Sequence, residues 1–240
     1  THKYIMSNSV VNRLLIFFVL IFIITNLGFY KTYLIHFPKF DGFPWVYHIH
    51  GMLAMAWVLM LIAQAYLIRA KKYELHKLVG KLSYVIMPLF LASLFFAAKE
   101  SYLTNIKTKA QADVLANMTN GGTIDIFFIG LIFALAMLYK KNVGYHLRFM
   151  ASTGLIILAP GLGRFVFAFL EIPFPLTLIP MLLCTTGASI IWLITDIRNK
   201  KSAFPMGVYV VISLIMFVIG AGYHSASWQG FAKWWVDNLY

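Results

Sequence analysis

Long apolar stretches without a charged side chain constrain this chain more than any other feature. Between Val46 and Ile68, 23 consecutive residues include no Lys, Arg, Asp or Glu. As an α-helix this stretch is about 34 Å long at 1.5 Å per residue, and the hydrocarbon core of a bilayer is about 30 Å thick. The stretch therefore predicts a membrane-spanning helix, in which the segment satisfies its own backbone hydrogen bonds.

Similar runs recur along the chain, which is 61% hydrophobic and only 12% charged. The runs are long and do not alternate between apolar and polar residues, so they predict helices rather than strands. The fold class is therefore an all-α integral membrane protein, a single transmembrane domain over residues 1–240. We predict a bundle of seven transmembrane helices, at Val10–Tyr30, Val46–Ile68, Leu78–Ala98, Thr123–Tyr139, Leu147–Leu170, Phe174–Ile197 and Phe204–Tyr223.

Two further segments predict helices that do not cross the membrane. The polar residues 107–117, between the third and fourth spans, are typical of a short surface helix. After the last span, four large apolar residues recur at helical spacing: Trp228, Phe231, Trp235 and Leu239. This C-terminal segment predicts an amphipathic helix lying in the membrane interface.

The distribution of basic residues predicts the orientation. Thirteen of the 20 Lys and Arg residues fall on the side of the N-terminus and seven on the other side. By the positive-inside rule, the N-terminus is cytoplasmic and the C-terminus lies outside. The net charge of +12 then indicates membrane lipids as partners of the basic loops and does not indicate nucleic acid.

Four histidines fall at the predicted outer face: His36 lies in the loop after the first span, and the other three lie at the ends of spans. His48 and His50 begin the second span, and His224 ends the seventh. Residues two positions apart in a helix lie about 200° apart around its axis, so His48 and His50 point in different directions. His50, Trp57 and Gln64 are spaced by seven and form one stripe, which we expect to face the bundle interior.

Imidazoles from two helices at matching depth are what an axially ligated haem b iron requires. With Glu171 or Asp125 added, the same histidines would make a Zn, Fe or Cu site of mixed nitrogen and oxygen ligands. The alternative is that these histidines bond to backbone carbonyls or water at the interface. At the inner face, basic neighbours favour lipid-phosphate contact for His76 and His146 over ligation of a second haem.

The fifth span contains Pro160-Gly161-Leu162-Gly163, followed by Arg164. This sequence predicts a kinked or unwound helix with freed backbone carbonyls. Arg164 would then pair with Glu171 or bind an anionic group at the wall of the outer pocket.

A resemblance to known families rests on several of these motifs: His48-x-His50, Trp57, Gln64, His76-x3-Gly80, His146-x-Arg148-x-Met150 and Gly163-Arg164. Between about Tyr47 and Arg164 the chain resembles uncharacterised bacterial families of predicted membrane proteins, filed as domains of unknown function. It is more distantly similar to di-haem b-type membrane cytochromes. The resemblance implies a compact helical protein of the bacterial inner (cytoplasmic) membrane.

The sequence is compatible with two classes of function, and it does not show whether the protein is an enzyme. In the first, the outer pocket binds a metal ion or haem for redox chemistry or metal handling, using His48 or His50 with His224 and an acidic residue. In the second, a metal-free transporter, receptor or assembly factor uses this pocket to bind a small apolar ligand or another membrane protein.

Overall fold

The computed structural model describes residues 8–118, 122–173 and 176–240, which form α-helices joined by turns, with no strand among them. A 3-10 turn, Leu34–His36, follows the first helix. The α-helices are α1 Asn8–Tyr30, α2 Trp45–Arg69, α3 Tyr73–Gly80, α4 Ser83–Asn105, α5 Gln111–Asn117, α6 Thr123–Leu138, α7 Val143–Leu170, α8 Leu178–Arg198, α9 Phe204–Ala221 and α10 Ala226–Leu239.

Within these ranges, six helical segments are long and apolar enough to cross a membrane: α1, α2, α3 with α4, α7, α8 and α9. The prediction of several membrane-spanning helices agrees with this architecture. The remaining predicted span, the fourth at Thr123–Tyr139, corresponds to α6, which has 16 residues. At 1.5 Å per residue α6 is about 24 Å long, shorter than a typical hydrocarbon core of about 30 Å.

The helices form one bundle in which α7 is central. It packs against α1, α2, α6, α8 and α9, and α2 also packs against α1 and α4. The side chains buried most completely in this core come from α1, α2, α4, α6, α7 and α9: Ile21, Trp57, Leu61, Met87, Ile132, Phe149, Leu155 and Met206.

The contact between α1 and α7 depends on glycine. A Cβ atom on Gly28 would lie 1.9 Å from the carbonyl oxygen of Gly161, and one on Gly161 would lie 2.7 Å from Cα of Thr25. Only hydrogen atoms fit at these two positions, so the two backbones approach more closely than side chains would allow.

Two predicted span boundaries differ from the structure. Leu78–Gly80 ends the short helix α3, and the long helix α4 begins at Ser83 and continues beyond Ala98 to Asn105. Glu74 and Lys77 of α3 are exposed and pair at 2.8 Å. The predicted start of the sixth span, Phe174, lies outside the described residues.

Helix α7 continues through Pro160 to Leu170, so the predicted unwinding is wrong. Proline removes one N–H donor, which leaves the Ile156 carbonyl without its usual partner four residues later. The rest of the helix is held by close packing of Gly161 against α1, and Arg164 Nη1 donates back to the Pro160 carbonyl at 3.4 Å.

The C-terminal helix α10 is confirmed, and its apolar side packs on the chain itself. Trp228 and Trp235 are each 6% exposed and belong to an apolar cluster with Val114 and Leu115 of α5. The Trp228 indole Nε1 donates to the Leu115 carbonyl at 2.8 Å. Leu239, predicted to belong to the same apolar face, is exposed.

Candidate functional site

His48 lies in an aromatic cluster at the start of α2. Its Nδ1 accepts a hydrogen bond from the hydroxyl of Tyr33, and its ring contacts Phe40 with centroids 5.0 Å apart. Partial burial raises the pKa of Tyr33, which favours the neutral phenol that donates this bond. Both groups are therefore engaged in holding the loop between α1 and α2 against α2.

His50 faces the bundle, as predicted, and contacts α4. Its Nδ1 lies 3.2 Å from Ser93 Oγ, and its ring stacks on Phe90 at 5.4 Å between centroids. Ser93 Oγ already donates to the Phe90 carbonyl, so His50 Nδ1 is the donor to Ser93.

The other predicted ligands have separate surroundings. His224 is exposed, and its ring lies beside Tyr223 at 4.3 Å. Glu171 is exposed at the end of α7, in the left-handed region at φ 55°, and makes no ion pair with Arg164. Asp125 lies in the first turn of α6, where it lines a cavity.

Across residues 8–118, 122–173 and 176–240, no three His, Cys, Asp or Glu side chains are grouped as a metal site. His48, His50 and His224 have the three different sets of neighbours given above. The metal or haem centre stays a prediction. Visible absorption and metal analysis of the purified protein would test it.

Trp57 and Gln64, the other members of the predicted stripe, also face neighbouring helices. The Trp57 indole donates to Thr153 Oγ1 of α7 at 3.1 Å. With its amide nitrogen turned toward His76, Gln64 donates to the His76 carbonyl at 3.2 Å and accepts from the Gly80 N–H at 3.1 Å. These bonds join α2 to α7 and α3.

The inner histidines also bond to protein groups. His146 Nδ1 donates to the Ala136 carbonyl at 2.8 Å, and His76 Nδ1 faces the Gln64 amide. The predicted contact with lipid phosphate is not tested by these bonds.

A buried ion pair at the same end of the bundle was not predicted. Arg148 Nε and Nη2 donate to the two carboxylate oxygens of Asp196, and the two side chains are 10% and 3% exposed. Arg148 Nη1 also donates to the Gly144 carbonyl at 2.7 Å. A sequence signal was present, because Asp196 is a lone acid near the end of an apolar span.

A cavity of about 410 Å³ lies between α6, α7, α8 and α9, with Thr32 of the turn after α1 at its edge. Its walls are mostly apolar and carry a small number of polar side chains. Those polar side chains are Thr32, Asp125, Arg164, Thr185, Thr186, Tyr209 and Ser213.

Arg164 is the basic residue of this cavity. Its guanidinium lies 4.4 Å from the centre of the Phe29 ring, and Nη1 donates to the Pro160 carbonyl at 3.4 Å. Among the described residues no carboxylate pairs with it. The guanidinium has five N–H donors, and the bond to the Pro160 carbonyl is the one hydrogen bond that it makes to the described residues.

Asp125 lies in the first turn of α6, on a different wall of the cavity from Arg164 of α7, and Tyr209 of α9 also lines the cavity. The described residues form no ion pair with Asp125. Thr32 Oγ1 is buried without a hydrogen-bond partner in the same ranges. Two opposite charges therefore line one cavity without pairing with each other.

The hydroxyl residues of this cavity were not predicted from the sequence. Thr186 donates to Ser213 at 3.0 Å, which joins α8 to α9. Short hydroxyl side chains are common in transmembrane helices, where they bond to the backbone or across a helix contact. Their presence within a span therefore gives little signal for a ligand site.

No family model, no curated protein and no solved structure matches this chain.

Proposed function

We propose that this chain is a multi-pass membrane protein that binds a small organic molecule in the cavity around Arg164, as the recognition step of transport or sensing. The single observation that carries the proposal is an arginine that lines a mostly apolar cavity and has no acidic partner in the described chain. This corresponds to the metal-free class of function expected from the sequence.

The dimensions and chemistry of the cavity support this function. Small-molecule sites are typically about 300–1,000 Å³, with apolar walls and a few convergent polar groups. At about 410 Å³ the cavity lies within this range. An unpaired cation removed from water is costly, and an anionic group on a ligand would supply the missing partner of Arg164.

We further propose seven membrane crossings, with α6 as the short fourth one and the N-terminus in the cytoplasm. The asymmetry of 13 against seven basic residues supports this orientation,. The ends of α6 and α7 that carry Asp125 and Arg164 would then lie toward the outer side, so the cavity would be reached from outside.

Topology reporters test this arrangement. Fusions at Lys72 and Lys140 are expected to report a cytoplasmic location, and a fusion at Lys107 is expected to report an external one. The reason is that α3 with α4 must carry the chain across the membrane between Lys72 and Lys107. A cytoplasmic signal at Lys107 would contradict the seven-crossing proposal.

Cysteine labelling tests access to the cavity. Cys184 is the one cysteine of the chain, so Cys184→Ser provides a cysteine-free background. In that background, Ser213→Cys is expected to react with small methanethiosulfonate reagents. The anionic sulfonatoethyl reagent should react roughly tenfold faster than the cationic trimethylammonium-ethyl reagent, because Arg164 concentrates anions in the cavity.

Two variants control this experiment. Ser152→Cys places a thiol at a position that is 0% exposed and does not line the cavity, so it should stay unmodified. Arg164→Gln should remove the preference for the anionic reagent. If Ser213→Cys reacts no faster than Ser152→Cys, solutes do not enter the cavity and the proposed function is wrong.

A further inference from the structure

We infer that the ligand is a zwitterion with an apolar body, whose anionic group bonds to Arg164 and whose ammonium group meets Asp125. This inference rests on the proposed function and assigns a ligand class to the same cavity. It starts from the two charges of opposite sign that line the cavity.

Arg164 and Asp125 do not satisfy each other. Their side chains form no ion pair within 4.0 Å, although both border the same space. A ligand with one charge would neutralise one of these residues and leave the other uncompensated in an apolar environment, which is unfavourable. A ligand that carries both charges would compensate both residues.

The hydroxyl groups of the cavity are mostly committed to other bonds. Thr185 donates to the Met181 carbonyl at 2.7 Å, Thr186 donates to Ser213, and Ser213 donates to the Val210 carbonyl at 2.9 Å. These three side chains therefore offer no free donor for an anionic group. Thr32 Oγ1 has no partner among the described residues, and Arg164 is the one positively charged side chain of the lining. Asp125 is the carboxylate available to a cation.

The remaining wall determines the body of the ligand. It is made of aliphatic, aromatic and thioether side chains from four helices. A hydrogen-bonding body such as a sugar would leave its polar groups without partners against this wall. The apolar lining includes Ile156, Phe167, Leu178, Leu182, Met216 and Phe217.

A matched series of probes tests this assignment by calorimetry on the purified protein in a neutral detergent. L-phenylalanine carries both charges, 3-phenylpropionate carries the carboxylate alone, and 2-phenylethylamine carries the ammonium alone, on a similar apolar body. Because a phospholipid headgroup can also be zwitterionic, dihexanoyl-phosphatidylethanolamine is a fourth probe. We expect one of the two zwitterions to bind at least tenfold more tightly than either singly charged probe.

Substitutions separate the two contacts. Arg164→Gln should weaken the preferred zwitterion at least tenfold, and Arg164→Lys should restore part of the affinity because the charge returns without the planar fork. Asp125→Asn should weaken the zwitterion but leave 3-phenylpropionate unchanged, and loss of folding would not produce this selective effect. The control variants Arg13→Gln and Asp237→Asn lie at exposed positions outside the cavity. They should leave the affinities for all four probes unchanged.

The outcomes test the zwitterion assignment separately from the proposal that the cavity binds a ligand. Preferred binding of L-phenylalanine identifies a free zwitterionic solute, and preferred binding of the phosphatidylethanolamine identifies a lipid headgroup. The assignment of a zwitterionic ligand would be wrong if a singly charged probe bound equally or more tightly, or if neither zwitterion bound. Either result would leave the proposed function standing. Failure of the proposed function would appear in the labelling of Ser213→Cys.

Discussion

Gly28→Ala is expected to destabilise the protein strongly, because the added methyl group would meet backbone and not a movable side chain. A Cβ at this position would lie 1.9 Å from the Gly161 carbonyl oxygen and 2.7 Å from its carbonyl carbon. Helices α1 and α7 would have to separate, and α7 is the centre of the bundle. Overpacking typically costs about 1–3 kcal/mol, and a backbone clash should fall at or above the upper end.

Gly187→Ala is the matched control, since Gly187 is also within a long apolar helix and an added Cβ there meets nothing within 4 Å. This control should be neutral or should gain up to about 1 kcal/mol from the better helix propensity of alanine. Thermal unfolding of both variants in the same detergent measures the difference. If Gly28→Ala unfolds at the temperature of Gly187→Ala, the close contact between α1 and α7 does not exist.

The second large effect is expected at the buried ion pair between Arg148 and Asp196. Asp196→Asn would leave the Arg148 guanidinium charged and uncompensated where it is 10% exposed. Removing one partner of a buried pair costs about 3–5 kcal/mol. Arg148→Lys should also be damaging, because one ammonium cannot reproduce the two parallel bonds to both carboxylate oxygens.

An exposed pair provides the comparison. Lys233 and Asp237 pair at 2.9 Å on α10 with side chains 58% and 51% exposed, so Asp237→Asn should cost about 1 kcal/mol or less. Replacing both buried partners, as in Arg148→Met with Asp196→Leu, should recover much of the stability lost in Asp196→Asn. Equal unfolding temperatures for Asp196→Asn and Asp237→Asn would show that the buried pair does not stabilise the bundle.

Local sequence predicted the features that depend on local chemistry. A charge-free run such as Val46–Ile68 must form a helix in hydrocarbon, and the observed helix is Trp45–Arg69. The stripe of His50, Trp57 and Gln64 faces neighbouring helices because its spacing of seven is close to two helical turns. The amphipathic pattern after residue 225 likewise predicted α10.

Features that depend on which helices pack against each other could not be predicted from the local sequence. The apolar side of α10 is covered by α5 of the same chain, although its pattern is equally compatible with a membrane interface. The unwinding predicted at Pro160 does not occur, since the contact of Gly161 with α1 supports a continuous helix.

The candidate site shows the same division. Sequence by itself determined that the chain is helical and apolar, and that Asp125 and Arg164 are charges within or beside long apolar runs, because these properties belong to single segments. The tertiary structure decided that those two residues line one cavity and that His48, His50 and His224 have three different sets of neighbours. The physical reason is that a cavity is formed by packing between helices distant in sequence. Helical periodicity gives the direction of a side chain, but it does not identify the helix that the side chain meets.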